Sequence, residues 1–177
     1  MTVTIFSIGH STRAIQDFIH ILQKYGIRIL VDIRSIPKSR RNPQFTDANL
    51  SIALNEAGIQ YEQIKSLGGL RHPGNDSVNL GWRNESFRGY ADYMQTPEFE
   101  SGLSKLISLG RQSVAAMMCA EAVPWRCHRS LVGDALVVRS INVIDITDAS
   151  YSKSHELTKW AKIDGLRITY PRQDLEL

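Results

Sequence analysis

The 177-residue chain is 42% hydrophobic and 22% charged, a balance that fits one globular domain over residues 1–177 and excludes disordered, collagen-like and coiled-coil architectures. Its longest apolar run, Val114–Ala120, has seven residues against the roughly 20 that cross a bilayer as a helix, so no membrane span is expected. The net charge is +3, with the basic excess confined to residues 1–133; a local excess of this kind suits a site for an anionic ligand better than a surface that coats nucleic acid indiscriminately.

Strand-like and helix-like periods alternate along the chain, the pattern of an α/β domain with a mainly parallel sheet. Val3–Ile8 is the first expected strand. With Ser11 or Thr12 as N-cap, Ile15, Phe18, Ile19 and Leu22 then fall on one helical stripe that stops at Gly26. Ile27–Ile33 is a second strand. Thr46 opens a helix carrying Leu50, Ala53, Leu54 and Ala57, closed by Gly58, and Ile59–Ile64 is a short third strand. Ser66–Arg88 is glycine-rich and aperiodic, and is read as a long functional loop. Thr96-Pro97-Glu98 starts a helix with Phe99, Leu103, Leu106 and Ile107 on one face, ending near Gly110. Ser113–Cys119 is a central strand, followed by a helix over Trp125–Arg139, a strand at Ile141–Ile146, a helix at His155–Ile163 and a last strand at Leu166–Tyr170. The expected fold is a single Rossmann-like domain of about five strands flanked by helices. The first residues carry no basic segment followed by a long apolar stretch, so the expected location is the cytoplasm. Two cysteines are too few for a disulfide scaffold, and independent thiols are expected there.

Ligands of open parallel sheets bind beyond the carboxyl ends of the strands. The expected strands end in Ser7-Ile8-Gly9-His10-Ser11, in Asp32-Ile33-Arg34-Ser35, before Leu67-Gly68-Gly69, and in Cys119-Ala120-Glu121. A histidine, a guanidinium, a glycine pair, a thiol and a carboxylate on one rim point to a single composite site. In the segment from Cys119 to Arg129, Cys127 and His128 are placed in the first turn of a helix, where unpaired N–H groups favour the thiolate over that of a free cysteine, which forms near about 8.5. Arg126 and Arg129 add positive charge, and Glu121 serves as general acid or base or orients His128. The competing reading makes both cysteines buried fillers, the better account for Cys119 at the end of an apolar strand. Cys119, Cys127, His128 and His10 are acceptable zinc donors, but their spacing matches no common site, so no metal is expected.

A second informative segment runs from Asp32 to Phe45, with Arg34, Lys38, Arg40 and Arg41 among prolines, hydroxyls and amides. Arg34, nearest the strand end, is assigned to the shared pocket. Arg40 is assigned to a second phosphate or a nucleic-acid backbone, with Phe45 available for base stacking; Lys38 and Arg41 are read as exposed charge. The glycine-rich loop adds Arg71, His72, Trp82, Arg83, Phe87 and Arg88, cations and aromatics to cover the site or stack on a base. It has neither a G-x-G-x-x-G nor a P-loop pattern, so no nucleotide cofactor is expected. His20 and His155, within expected helices, are read as surface or boundary residues.

Four ordered motifs, S-I-G-H-S at Ser7–Ser11, D-I-R-S-I-P-x-S-R at Asp32–Arg40 with P-Q-F at Pro43–Phe45, L-G-G at Leu67–Gly69 and C-A-E-x-x-P-x-x-C-H-R at Cys119–Arg129, together resemble the domain-of-unknown-function family numbered 488. The resemblance spans about residues 4–145, with Ile33 standing where valine is more familiar. It implies that His10, Arg34, Arg40, Gln44, Glu121, Cys127, His128 and Arg129 belong together. It does not imply a reaction, and some members of the family carry a DNA-repair label.

Three functions compete on these residues. The first is an enzyme that hydrolyses or transfers a group of a phosphate-bearing substrate, a nucleotide or nucleic acid, with Arg34 and Arg40 anchoring the anion and Glu121, Cys127 and His128 doing the chemistry. The second is a non-catalytic nucleic-acid-binding module, and the third a small-ligand sensor. The expected partner is therefore an anionic small molecule or nucleic acid.

Overall fold

The runs expected as strands as far as Ile146 pair into one sheet in the computed structural model, which describes residues 2–173, whereas the last, expected at Leu166–Tyr170, pairs in a separate hairpin. The strands are β1 Thr4–Gly9, β2 Ile29–Asp32, β3 Gln60–Gln63, β4 Ala115–Cys119, β5 Asn142–Ile146 and β6 Ser152–Ser154, in the spatial order β3-β2-β4-β1-β5-β6. Only the β5–β6 pair is antiparallel. The chain is thus a single α/β domain with a mainly parallel sheet, of six strands where about five were expected.

The sheet is covered on both faces, which is why β2 and β4 are buried along their whole length. One face carries Ile8, Leu30, Ala116 and Met118 and packs on helices α1 (Ile15–Lys24) and α2 (Asp47–Glu56) through Phe18, Leu22, Leu50 and Leu54. The other carries Ile5, Val31, Met117 and Val143 and packs on α3 (Glu85–Tyr93), α4 (Pro97–Gln112) and α5 (Arg129–Val138) through Tyr90, Phe99, Leu103, Leu106, Leu131 and Leu136. β1 and β4 are neighbours, yet the chain leaves them toward opposite faces, into α1 and α5. A crevice must open between two such departures, at the carboxyl ends of β1 and β4.

Several expectations need correction. Neither Ser11 nor Thr12 caps α1; its N-cap is Ala14, with no side-chain bond. The glycine-rich loop ends earlier than expected, because α3 begins at Glu85 with Asn84 accepting from the Ser86 and Phe87 N–H groups. Gly89 hides this helix in the sequence. It is required there because a Cβ would stand 2.5 Å from the Arg71 carbonyl oxygen of the crossing loop. The helix expected from Trp125 starts at Arg129, after a short 3-10 turn at Pro124–Arg126. No helix forms at 155–163: the His155 N–H bonds Val143 O, continuing the edge pairing past β6. The chain then turns back as the hairpin β7 (Lys162–Asp164) and β8 (Arg167–Thr169) around Gly165 at φ 61°. Among the described residues, no helix is long and apolar enough to cross a membrane.

Candidate functional site

The crevice beyond β1, β2 and β4 is a cavity of about 540 Å³ lined by His10, Arg34, Glu121, Cys127 and His128, together with Cys119 and Lys38. Five of the eight residues expected to act together therefore meet in one place. Cys119 was favoured as filler and Lys38 as exposed charge, and both face the cavity. Asp32 anchors Arg34. Its fully buried carboxylate accepts from Arg34 Nε at 2.9 Å, Arg34 Nη2 at 2.6 Å and Tyr61 Oη at 2.7 Å. This paired fork fixes the guanidinium plane. Arg34 Nη1 is left to His10 Nε2 at 3.3 Å, and His10 Nδ1 donates to Ser11 O at 2.7 Å. His10 stacks on Phe45 with centroids 4.2 Å apart. Phe45 is wholly buried, which corrects its assignment as a base-stacking side chain. Burial, reinforced by the Arg34 charge, outweighs the Ser11 hydrogen bond and lowers His10 to about 4, so it is neutral at pH 7 and accepts from Arg34.

The opposite wall belongs to the segment between β4 and α5. His128 Nε2 bonds Ile33 O at 3.0 Å, and its Nδ1 faces Cys127 Sγ at 3.6 Å. Burial, with the Arg129 and Arg71 charges against the Ile33 and Leu67 carbonyls, brings His128 down to about 4. A neutral ring that donates through Nε2 keeps its lone pair on Nδ1, toward the sulfur. The carbonyl of Ile33 orients this ring, which corrects one of the alternative roles expected of Glu121. Gly69 explains the glycine pair, because a Cβ there would lie 3.0 Å from His128 Nδ1.

Cys127 stands just before α5, not within its first turn, and its Sγ accepts the Arg129 N–H at 3.4 Å. The sulfurs of Cys119 and Cys127 are in contact, with Cα atoms 7.5 Å apart, wider than a relaxed disulfide spans. The expectation of independent thiols is corrected: β4 and the loop return together bring the pair into one wall. Arg129 lies behind that wall, 1% exposed, with Nη2 on Glu121 O at 3.0 Å and Nε and Nη1 without partners among the described residues. Burial, opposed by Asp145, lowers it to about 10, which leaves it charged at neutral pH. Arg40 is exposed and outside the cavity lining, and Gln44 also stays out of it, tying its loop to Arg13 O at 2.9 Å. Sequence reasoning missed Arg13, whose Nη1 and Nη2 hold Gly9 O and Thr147 O, both at 2.5 Å. It also missed two left-handed residues at the cavity, Ser11 at φ 51° and Leu70 at φ 62°, a conformation that costs energy outside glycine and gathers at functional sites.

His155, expected as an ordinary surface or boundary residue of a helix, has a side chain only 6% exposed and bridges Asp134 at 2.9 Å and Asp145 at 3.0 Å. Among the described residues, no group of three or more potential ligands is arranged to hold a metal. In comparisons with known proteins, no curated protein and no solved structure matches the chain. The family described as Domain of unknown function DUF488 matches residues 14–136, a span that takes in β2, β3 and β4 and the wall from Cys119 to Arg129. Over most of its length, therefore, the chain belongs to the DUF488 family.

Proposed function

We propose that the protein is an enzyme that hydrolyses or transfers a group of a phosphate-bearing substrate, a nucleotide or nucleic acid, with reduced Cys127 as nucleophile. The observation that carries this reading is the pairing of Cys127 Sγ with two hydrogen-bonding groups, the Arg129 N–H at 3.4 Å and His128 Nδ1 at 3.6 Å, in a cavity with Arg34 on the facing wall. An N–H at a helix start stabilises negative charge on sulfur. A neutral His128 is a weak base but an oriented acceptor, so it aligns the S–H and takes its proton as the sulfur attacks. Arg34 and Lys38 supply the positive wall for the anion, and Glu121, exposed at the rim, exchanges protons between leaving group and solvent. A pure nucleic-acid-binding module draws less support: Phe45 is buried and Trp82 packs against Phe87, Trp160 and Tyr170, which leaves Trp125 and Tyr151 as the exposed aromatic side chains among the described residues.

Alkylation of the reduced protein by iodoacetamide at pH 7 tests the proposal. Cys127 is expected to react at least about tenfold faster than glutathione, and inorganic phosphate or a nucleoside monophosphate is expected to slow it. Equal reactivity with no protection removes the nucleophile.

A further inference from the structure

Nothing in the hydrolytic reading uses Cys119, yet the fold spends a specific geometry on it. It ends β4, its side chain lies on the α5 face of the sheet beside Met117, and it is 2% exposed. A filler at this position would meet apolar atoms alone. Instead its sulfur meets the Cys127 sulfur, and both residues line the cavity that holds His128 and Arg34. The two cysteines reach this point from opposite ends of the 120–126 segment. That segment is clamped by Arg129 Nη2 on Glu121 O, by the Ser11 N–H on Ala120 O and by a close approach to Gly9.

We infer that Cys119 is the resolving thiol of Cys127, so that the cavity carries a two-cysteine redox cycle with a small hydroperoxide as oxidant and an external dithiol as reductant. This rests on the nucleophilic role given to Cys127 above and assigns the site a second activity. In the first step the Cys127 thiolate attacks one peroxide oxygen; an S–O bond forms, the O–O bond breaks, and hydroxide or alkoxide leaves with the electron pair and takes up a proton. The product is a sulfenic acid at Cys127. In the second step the Cys119 sulfur attacks the Cys127 sulfur; the S–S bond forms, the S–O bond breaks, and the departing hydroxide leaves as water with the proton of the Cys119 thiol. The external dithiol returns both cysteines to thiols by two exchanges and is itself oxidised to a disulfide. Sulfur oxidation is thereby halted at its reversible stage, ahead of sulfinic and sulfonic acids.

The neighbourhood suits these steps. The Arg129 N–H supports charge on Cys127 Sγ and not on Cys119, which separates attacking from resolving sulfur. His128 Nδ1 accepts from the Cys127 S–H and orients it before its proton leaves. Cys119 Sγ is 3.9 Å from Glu121 O, an acceptor for its S–H while it waits. Cys119 is 2% exposed and Cys127 5%, so both are screened from a bulky oxidant, and their sulfurs already adjoin; closing the bond draws the Cα atoms in from 7.5 Å.

The test treats the fully reduced wild-type chain with three equivalents of hydrogen peroxide, followed by N-ethylmaleimide and intact-mass measurement. The expected product is a monomer lighter by two hydrogens that takes up no maleimide, and dithiothreitol restores two maleimide sites. In Cys119→Ser the same treatment is expected to give a chain carrying two or three extra oxygens on Cys127. Wild-type protein that accumulates those oxygenated forms, or that forms disulfide-linked dimers instead of the internal bond, overturns the inference, and this result needs no variant to fold. Failure of the hydrolytic reading appears separately, as iodoacetamide reactivity without phosphate protection alongside an intact internal bond on oxidation.

Discussion

Arg34 can face a cavity at neutral pH only because Asp32 holds it. The carboxylate takes three hydrogen bonds from the arginine, one from its backbone and two from its guanidinium, and a fourth from Tyr61. Tyr61 is pushed well above its ordinary range, first by burial and then by the Asp32 charge, so it stays a hydrogen-bond donor. With Asp32 fully buried and Arg34 7% exposed, losing one charge strands the other. Asp32→Asn is therefore expected to cost about 3–5 kcal/mol in urea-unfolding measurements. A loss below about 1 kcal/mol would show that solvent reaches the pair. The motif around Asp32 was legible in the sequence, but the acid's task was not, because an Asp two residues before an Arg reads equally well as a turn.

At the scale of elements, the site depends on how closely the 120–126 segment lies over the end of β1. The segment and β1 touch through backbone: the His10 and Ser11 N–H groups bond Cys119 O and Ala120 O, each at 2.9 Å. There is no room for a side chain between them, since a Cβ on Gly9 would stand 1.7 Å from Glu121 O. Gly9→Ala must push the segment outward, breaking these bonds and moving Cys127 from His128. A destabilisation of at least about 3 kcal/mol is expected from thermal or urea unfolding; an unchanged unfolding midpoint would refute this account of the wall. The helix starts show the converse case. Thr96-Pro97-Glu98 was expected to start a helix, and there the Thr96 Oγ1 accepts the Phe99 N–H at 3.3 Å, because a helix start is local chemistry. α3 escaped detection because Gly89 serves a tertiary crossing that a local pattern cannot record.

For the whole molecule, three buried histidines give opposite pH dependences. Burial works against a charged His155, but its hydrogen bonds to Asp134 and Asp145 win and raise it to about 9. A folded value above the unfolded one near 6.5 means that this stabilisation is complete below pH 6.5 and disappears as pH climbs through about 9. His10 and His128, lowered to about 4, act the other way. The unfolded chain binds protons below pH 6.5 while the fold refuses them, so stability drops as pH falls from 6.5 toward 4. Urea midpoints are expected to peak near pH 6.5, with a change on the order of 3 kcal/mol per histidine across each flank. His155→Gln should flatten the alkaline flank and keep the acid one; a persistent alkaline fall in that variant would assign it to other groups.

The sequence by itself determined the alternation of strands and helices, the parallel sheet, and the rim on which His10, Arg34, Glu121, Cys127 and His128 gather, because strand ends in such a sheet share one edge whatever the details of packing. Only the tertiary structure decided that Cys119 faces Cys127, that Ile33 O orients His128, that Phe45 supports His10 from below, and that His155 is drawn between two carboxylates in place of forming a helix. Each of those depends on the distance between segments remote in the chain, which periodicity and spacing do not encode; burial and charge at the point of contact then set what the side chains can do.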